Sequence, residues 1–356
     1  MDTVKPNNSD TNPGQAVWAI TPNGIALAET IYRLHTNAVM FVPEGMKPAE
    51  KHLSNSKTIY FCNGLRNEIA KQFKQFKSHI FIFSTGIAVR MIAPLLQSKD
   101  KDPAVVVVDE KGFHVISLIS GHLGGANELC KKIADKINAV PVITTATDIN
   151  HLPSIDLIAK DENLFIENIE AIKNVNMAFL KNIPIKIDDP ANLLRTKIPR
   201  TLLASSKTIK DIDIACTWKI VKVPRETLIL RPKNLFIGVG CNRGTPSADI
   251  HEFVTHVFKE EGLSLNSIAA IGTTSVKSDE KGILDLAEKL DRPINFYEKD
   301  ELNSVTSIKN PSEMAKKHLG VNSVCEAAAI LGAQGGSLIV QKKKTRDVTL
   351  AVAIQQ

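Results

Sequence analysis

Apolar and polar positions along the chain follow two alternating patterns. Short apolar runs such as AVWAI (16–20) and AVVVV (104–108) predict strands, and AVVVV is apolar on both faces, as a central strand should be. Segment 63–76 instead repeats its apolar residues at helical spacing, so that they share one face. This alternation of strands and helices predicts α/β layered domains.

The same pattern divides the chain into segments. Residues 15–159 are predicted to form an N-terminal α/β domain with one hairpin turn at 109–112, and residues 233–356 a C-terminal one. Between them, 160–232 has mixed signals and several prolines, which favours a small middle domain or connector. Residues 1–14 are predicted to be a disordered tail. The predicted fold is therefore two α/β layered domains with mixed, mostly parallel sheets, joined by a small middle domain.

Composition narrows the range of partners. The 356 residues include 44 Lys and Arg and 38 Asp and Glu, a net charge of +6, which fits a ligand with several negative charges but is too diffuse to indicate nucleic acid. No apolar stretch is long enough to span a bilayer. The five cysteines are scattered and include no CxxC pair, which favours reduced thiols in the cytoplasm over a disulfide framework or a zinc ribbon.

The segment SGHLGGANE (120–128) is the strongest candidate for a binding site, because it lies between a predicted strand and a predicted helix. Glycines in such a turn allow positive φ angles and a close approach to a ligand, and the helix start offers amides to an anion. The segment matches neither GxGxxG nor GK[ST], so a nucleotide is not specifically indicated. A tight structural turn is the alternative interpretation. The candidate binding residues are Ser120, Gly121, Gly124, Gly125 and Asn127.

Two residues of this segment are candidates for proton transfer. His122 is the only histidine within a glycine-rich turn, and histidine titrates near neutral pH, so it could act as an acid or a base. Glu128 is the nearest candidate base. The alternatives are a loop histidine bonded to a backbone carbonyl and an ordinary acidic residue in the first turn of a helix.

Polar residues also follow several other predicted strands. Ligands collect at the carboxyl ends of strands in open α/β sheets, so these positions are candidates for binding. They are Thr85, Gly86, Arg90, Thr145, Thr147 and Asp148 in the N-terminal domain, and Cys241, Arg243, Thr273 and Ser275 in the C-terminal domain. The alternatives are a surface salt bridge for Arg90, helix capping by Thr147 and Asp148, and simple burial of Cys241.

Two helix starts in the C-terminal domain carry capping signals. Thr245 is predicted to cap a helix that begins at Pro246 and ends just before Gly262. Ser323 and Glu326 have the spacing of a capping box, which makes Glu326 structural rather than catalytic.

These segments together resemble one family, the cobalt-precorrin-5A hydrolases of the anaerobic cobalamin pathway. The resemblance runs from about residue 16 to the C-terminus and is weakest over 160–232. The motifs that carry it are TGIAVRMIAPLL (85–96), DPAVVVVDEKG (102–112), VISLISGHLGGANEL (115–129), TTATD (144–148), GVGCNRG (238–244), IGTTSVKSDEKG (271–282) and VCEAAAILGA (324–333).

The resemblance implies a function that spacing alone does not give. The family opens the ring A δ-lactone of cobalt-precorrin-5A and releases the two-carbon fragment at C20 as acetaldehyde, which gives cobalt-precorrin-5B. Cobalt arrives inside this tetrapyrrole substrate, so no cofactor or protein-bound metal is expected. We hypothesise that Glu128 or His122 accepts a proton from water and that the amides of 121–125 stabilise the oxyanion.

Other interpretations stay open on the sequence alone. They are a non-catalytic corrinoid-binding or delivery protein, a phosphate-ligand enzyme such as a nucleotide-dependent transferase, and an α/β binding module without corrinoid affinity. A substrate site built from these strand ends requires loops 84–90, 120–128 and 144–148 to converge, and we expect that they do. The sequence does not show the oligomeric state, and a homodimer is one state that it allows; neither nucleic acid nor a membrane is an expected partner.

Overall fold

The computed structural model describes residues 14–34, 37–47, 57–98, 101–205 and 211–355. The predicted tail lies outside these residues, except for Gly14. The described chain forms two units, the first ending at Leu157 and the second beginning at Ile158. Their sheets are mixed, mostly parallel and covered by helices, which confirms the predicted fold class.

A seven-stranded sheet is the centre of the first unit. Its strands are β1 (Gln15–Ala19), β2 (Ala38–Pro43), β3 (Thr58–Phe61), β4 (Ser78–Ile82), β5 (Ala104–Val108), β6 (His114–Ile119) and β7 (Val140–Val142). They are ordered β3-β2-β1-β4-β5-β6-β7. All neighbours are parallel except β5 and β6, which form the hairpin predicted around 109–112.

Helices cover both faces of this sheet. They are α1 (Pro22–Tyr32), α2 (Leu65–Gln72), α3 (Thr85–Ile92), α4 (Ala126–Ile137), α5 (Ala146–Ile149) and α6 (Ile155–Asp161), the last of which continues past Leu157. α1 and α4 pack Ile31 and Ile133 against one face, and α2 and α3 pack Ile69 and Ala88 against the other. Because both faces are covered, β4 and β5 are buried along their whole length.

The hairpin decides at which edge of the sheet each loop lies. Val105, at the start of β5, pairs with Ile119, at the end of β6, and β7 runs parallel to β6. The loops after β6 and β7 therefore lie where β4 and β5 begin, which we call the amino edge of the first sheet. The loop after β4, which leads into α3, lies at the opposite, carboxyl edge.

The second unit contains two five-stranded sheets. The described part of 160–232 forms the smaller one, with strands β8 (Leu164–Ile166), β9 (Ile185–Asp188), β10 (Leu203–Ala204), β11 (Ile214–Cys216) and β12 (Leu228–Pro232), and the helix α7 (Ile172–Leu180). The order is β10-β9-β11-β12-β8, and only β8 is antiparallel to its neighbour. The segment with the weakest sequence signal thus has a sheet of its own.

The other sheet of the second unit begins at Leu235. Its strands are β13 (Leu235–Cys241), β14 (Ile268–Thr274), β15 (Ile294–Tyr297), β16 (Ser337–Lys344) and β17 (Val348–Ile354), in the order β15-β14-β13-β17-β16. Its helices are α8 (Ser247–Glu260), α9 (Lys281–Leu290), α10 (Lys299–Ser304), α11 (Glu313–Leu319) and α12 (Cys325–Gly332). α12 packs closely on β13, since a Cβ at Gly238 would lie 1.8 Å from the carbonyl oxygen of Cys325.

The start of α8 differs from the predicted cap. The helix begins at Ser247, so Pro246 precedes it instead of occupying its first position. Thr245 does not cap the helix, because its hydroxyl donates to the carbonyl of Asn242 at 2.8 Å. Gly262 follows the helix, as predicted, and has φ +65°, the left-handed conformation that glycine adopts readily at helix ends.

Glu326 is fully buried, and its contacts are structural. Ser323 Oγ accepts the backbone amide of Glu326 at 3.4 Å. This is only one of the two hydrogen bonds of the predicted capping box. The Glu326 carboxylate instead accepts the backbone amides of Lys309, Asn310 and Lys342 at 2.7–2.9 Å. Burial opposes ionisation, but these hydrogen bonds outweigh it and lower the pKa of Glu326. The carboxylate therefore ties the 309–310 loop to β16.

Candidate functional site

The turn after β6 has a strained, self-packed backbone. Ser120 has φ +58° and Gly125 has φ +87°. A Cβ at Gly121 would lie 2.7 Å from Asn127 Oδ1, and one at Gly124 would lie 2.4 Å from Ser120 Cβ. Two of the glycines are therefore required by the protein's own packing, whereas the sequence suggested that they make room for a ligand.

His122 projects from this turn into a group of polar side chains. Its Nε2 lies 3.0 Å from Asp148 Oδ2 and 3.2 Å from Thr147 Oγ1. Its Nδ1 lies 3.2 Å from Asp156 Oδ2 and 3.0 Å from Ser154 Oγ. The His122 side chain is 14% exposed. Both ring nitrogens are thus engaged by carboxylates, which excludes the alternative of a histidine bonded to a backbone carbonyl.

The two carboxylates favour the imidazolium form. The hydrogen bond to Asp156 is the largest cause of a raised pKa of His122, and Asp148 adds to it, while burial acts in the opposite direction. In the imidazolium form both ring nitrogens donate, so that form has no lone pair for a water proton and suits a proton donor. The role of His122 as acid or base stays a prediction.

Asp148 connects the turn after β6 to the loop after β7. Asn127 Nδ2 donates to Asp148 Oδ2 at 2.9 Å and to Thr145 Oγ1 at 2.7 Å, and that hydroxyl donates to Asp148 Oδ2 at 3.0 Å. Lys131 Nζ lies 3.3 Å from Asp148 Oδ1. Burial opposes ionisation of Asp148, but the hydrogen bonds outweigh it and lower its pKa. We call His122, Asn127, Thr145, Asp148 and Asp156 the His122 cluster.

The amides of Gly125, Ala126 and Asn127, at the start of α4, are engaged within the turn itself. Gly125 N donates to the carbonyl of His122 at 2.9 Å, Ala126 N to that of Ser120 at 3.1 Å and Asn127 N to that of Gly121 at 3.0 Å. Gly125 is therefore removed from the predicted oxyanion-binding amides. Within the described ranges, the amides of 122–124 have no hydrogen-bond acceptor.

Two predicted parts of this site lie elsewhere. Glu128 is 61% exposed on α4 and pairs with Lys132 at 2.5 Å, so it is outside the His122 cluster. Loops 120–128 and 144–148 converge at the amino edge, but loop 84–90 is at the carboxyl edge. The prediction that all three converge is therefore wrong for Thr85, Gly86 and Arg90. The reason is that β6 runs antiparallel to β5, so its end faces the start of β4 rather than its end.

The candidates in the second unit meet at the carboxyl ends of β13 and β14. Arg243 Nη1 pairs with Asp279 Oδ2 at 2.9 Å. Ser275 Oγ donates to Glu298 Oε2 at 2.9 Å. Burial raises the pKa of the Cys241 thiol, which disfavours the thiolate that a nucleophile needs. Thr273 is fully buried and its Oγ1 has no hydrogen-bond partner among the described residues, so ligand binding by this side chain stays a prediction.

Sequence reasoning missed Asp156 and Ser154. Both follow Pro153, and Asp156 lies in the first turn of α6, where an acidic residue is ordinary. Their role depends on a contact with His122 that spans more than 30 positions in sequence. No local pattern carries that information.

Some kinds of site are absent from the ranges that the structure describes. No helix there combines the length and apolar character needed to cross a membrane. No group of three or more His, Cys, Asp or Glu side chains there is placed to hold a metal ion. That the protein itself needs no metal or cofactor remains a prediction.

Comparison with known proteins places the chain in a family. Three family models match it in order: the cobalamin synthesis G N-terminal region over 67–148, the cobalamin biosynthesis central region over 153–232 and the cobalamin synthesis G C-terminus over 235–353. A cobalt-precorrin-5A hydrolase of Priestia megaterium is 34% identical over 95% of this chain and 94% of the relative. One of Salmonella typhimurium is 31% identical over 99% of each chain.

A solved structure is also similar. The crystal structure of a cobalamin biosynthesis protein G homolog from Sulfolobus solfataricus covers 97% of this chain and 98% of its own, at 21% identity and a TM-score of 0.37. The order of the three matched regions defines the class, that of the three-region cobalamin biosynthesis proteins. Within that class, the chain belongs to the cobalt-precorrin-5A hydrolase family, as its motifs indicated.

Proposed function

We propose that this chain hydrolyses cobalt-precorrin-5A in the cytoplasm and releases acetaldehyde and cobalt-precorrin-5B. The observation that carries the proposal is identity of 34% and 31%, over nearly the full length, to two curated relatives of that name. The His122 cluster supports it, because it provides a charged acid beside carboxylates at the edge of a sheet. We expect the other polar candidates of the first unit, Thr147 among them, to bind substrate only where they lie at the amino edge.

The reaction consumes one water. Attack of water on the lactone carbonyl breaks the bond to the oxygen at C20 and gives a carboxylic acid and an alcohol. The alcohol then loses its proton, its oxygen forms the carbonyl of acetaldehyde, and the electron pair of the broken carbon–carbon bond passes to the macrocycle. The macrocycle takes up a proton, so the two hydrogens of water end on the freed carboxyl group and on the macrocycle.

In this scheme His122 acts as acid in the first step and as base in the second. The imidazolium protonates the alkoxide released from the lactone, and the neutral imidazole then accepts the proton of the C20 alcohol. Asp148 and Asp156 hold the ring in the protonated form that the first step requires. This assignment replaces Glu128, whose carboxylate pairs with Lys132 at the helix surface.

The test is incubation of the full-length protein with cobalt-precorrin-5A and measurement of acetaldehyde. We expect one acetaldehyde for each cobalt-precorrin-5B formed. Tight binding of the substrate without acetaldehyde would overturn the proposal in favour of a corrinoid-binding or delivery protein.

A further inference from the structure

A second feature of the amino edge is a cavity of about 490 Å³ close to the turn after β6. We call it the lysine cavity, and its polar lining consists of Lys74, Lys77, Gln97, Lys101 and Gly124. Chain topology assembles it. Lys77 precedes β4, and its backbone carbonyl accepts the amide of Ala104, at the start of β5, at 3.1 Å. Because β6 ends at the same edge, Gly124 joins residues that are distant in sequence.

The lysine cavity is positively charged. Lys74 and Lys101 are exposed, so their ammonium groups keep their hydration and can reach a ligand. Lys74 and Lys101 form no ion pair with any described carboxylate. The nearby Asp102 is already engaged, since both of its oxygens accept the amide of Gln97 at 3.0 Å.

The turn that carries His122 also borders this cavity. Ser120 Oγ donates to the carbonyl of Asp102 at 3.0 Å, which ties the turn to the segment before β5. Gly124 lies in the cavity wall, two residues after His122, and its amide has no acceptor among the described residues. Ammonium groups and a backbone amide are donors that bind a carboxylate.

We propose that the lysine cavity binds acetate or propionate carboxylates on the rim of the tetrapyrrole and thereby places the macrocycle beside His122. The inference rests on the proposed function, because that function supplies a ligand with a carboxylate rim. It adds a binding site whose lysines none of the sequence motifs indicated. A cavity of this size accommodates acetate or propionate side chains of the tetrapyrrole, while the macrocycle itself lies at the mouth of the cavity.

The experiment measures binding of uroporphyrin, a tetrapyrrole with eight carboxylates and no lactone, to the full-length protein by fluorescence titration. The test variant is Lys74→Gln/Lys101→Gln. The control, Lys111→Gln/Lys136→Gln, removes the same charge from exposed positions at the β5–β6 turn and in the last turn of α4. We expect the test variant to weaken binding about tenfold or more, because hydrogen bonds to charged groups are lost, and the control less than about twofold.

Two results of the binding experiment would overturn the inference. Equal weakening in both variants would mean that uroporphyrin responds to net charge rather than to the cavity. Displacement of uroporphyrin by equimolar inorganic phosphate would mean a general anion site. All of these lysines are exposed, and equal midpoints of thermal unfolding for the variants would verify that the folds are intact.

Turnover separates this inference from the proposed function. If the unsubstituted protein releases no acetaldehyde but binds uroporphyrin through Lys74 and Lys101, the hydrolase proposal fails and the cavity assignment stands. If it releases acetaldehyde and Lys74→Gln/Lys101→Gln leaves KM equal to that of the control, the cavity assignment fails and the hydrolase proposal stands. A higher KM with little change in kcat is the result we expect.

Discussion

At the scale of single residues, His122 and Glu128 illustrate how neighbours in sequence acquire different chemistry. His122 is 14% exposed and lies between two carboxylates, whereas Glu128 is 61% exposed and pairs with a lysine on its own helix. An exposed ion pair of that kind contributes little to stability and leaves its carboxylate with an ordinary environment. The two residues therefore make opposite predictions for mutagenesis.

Substitution of these residues tests the proposed acid. His122→Gln is expected to lower kcat for acetaldehyde release by roughly 10²- to 10⁴-fold, because it removes the proton donor. Glu128→Gln is expected to stay within about twofold of the unsubstituted protein, since its carboxylate is outside the His122 cluster.

The pH dependence of kcat distinguishes a catalytic from a positioning role. Asp148→Asn should shift the alkaline limb of the kcat profile to lower pH, because the imidazolium of His122 loses one of its partners. An unshifted limb in Asp148→Asn would contradict the assignment.

At the scale of elements, the turn after β6 and the start of α3 show two different uses of glycine. Gly124 leaves no room for a side chain, because a Cβ there would meet both the Cβ and the carbonyl oxygen of Ser120. Gly86 lies in the first turn of α3 and has nothing within 4 Å of where a Cβ would be. The sequence predicted binding at both positions, but only the first is fixed by packing.

Alanine at each glycine should separate the two cases. Gly124→Ala is expected to lower the free energy of unfolding by about 1–3 kcal/mol, the cost of overpacking. Gly86→Ala should be neutral or raise it by up to about 1 kcal/mol, because alanine is the better helix former. Urea denaturation of both variants provides the measurement. Equal destabilisation in the two would show that crowding at Ser120 is not the cause.

The elements also show why part of the site could be predicted and part could not. The hairpin at 109–112 and the polar loops after β6 and β7 follow from local pattern, and the structure brings these two loops together. Loop 84–90 was misplaced because the rule that ligands collect at strand carboxyl ends assumes parallel strands, and a hairpin moves the next strand's end to the other edge. Asp156 and the lysine cavity depend on contacts distant in sequence, which periodicity does not encode.

At the scale of the whole molecule, every titrating group contributes to the pH dependence of the free energy of unfolding. Two histidines of the first unit contribute with opposite sign. His79 is fully buried and neutral, with its Nδ1 accepting Trp18 Nε1 at 3.1 Å and its Nε2 donating to the carbonyl of Phe73 at 2.9 Å. Burial lowers the pKa of His79 to about 4, whereas the pKa of His122 is raised.

The sign of each contribution follows from which state binds the proton. Between pH 6.5 and about 4 the unfolded chain protonates His79 and the folded chain does not, so stability falls as pH falls through that window. His122 binds its proton more tightly when folded, so its contribution is present below pH 6.5 and is lost as pH rises through its raised pKa. The pKa values of Asp148 and Glu326 are also lowered, so the stability that these carboxylates contribute is likewise lost as pH falls, at the acid end of the profile.

Urea denaturation from pH 4.5 to 8.5 is expected to resolve these two contributions. His79→Gln should flatten the acid side of the plot of unfolding free energy against pH. In the unsubstituted protein, protonation of His79 in the unfolded chain alone should lower that free energy by about 3 kcal/mol, because a shift of one pKa unit is worth about 1.4 kcal/mol. His122→Gln should flatten the side above pH 6.5 and leave the acid side unchanged. The substitutions remove different protons, so their effects should add in the double variant. If His122→Gln instead flattens the acid side, His122 is neutral in the folded protein, and the proton donor proposed for lactone opening does not exist.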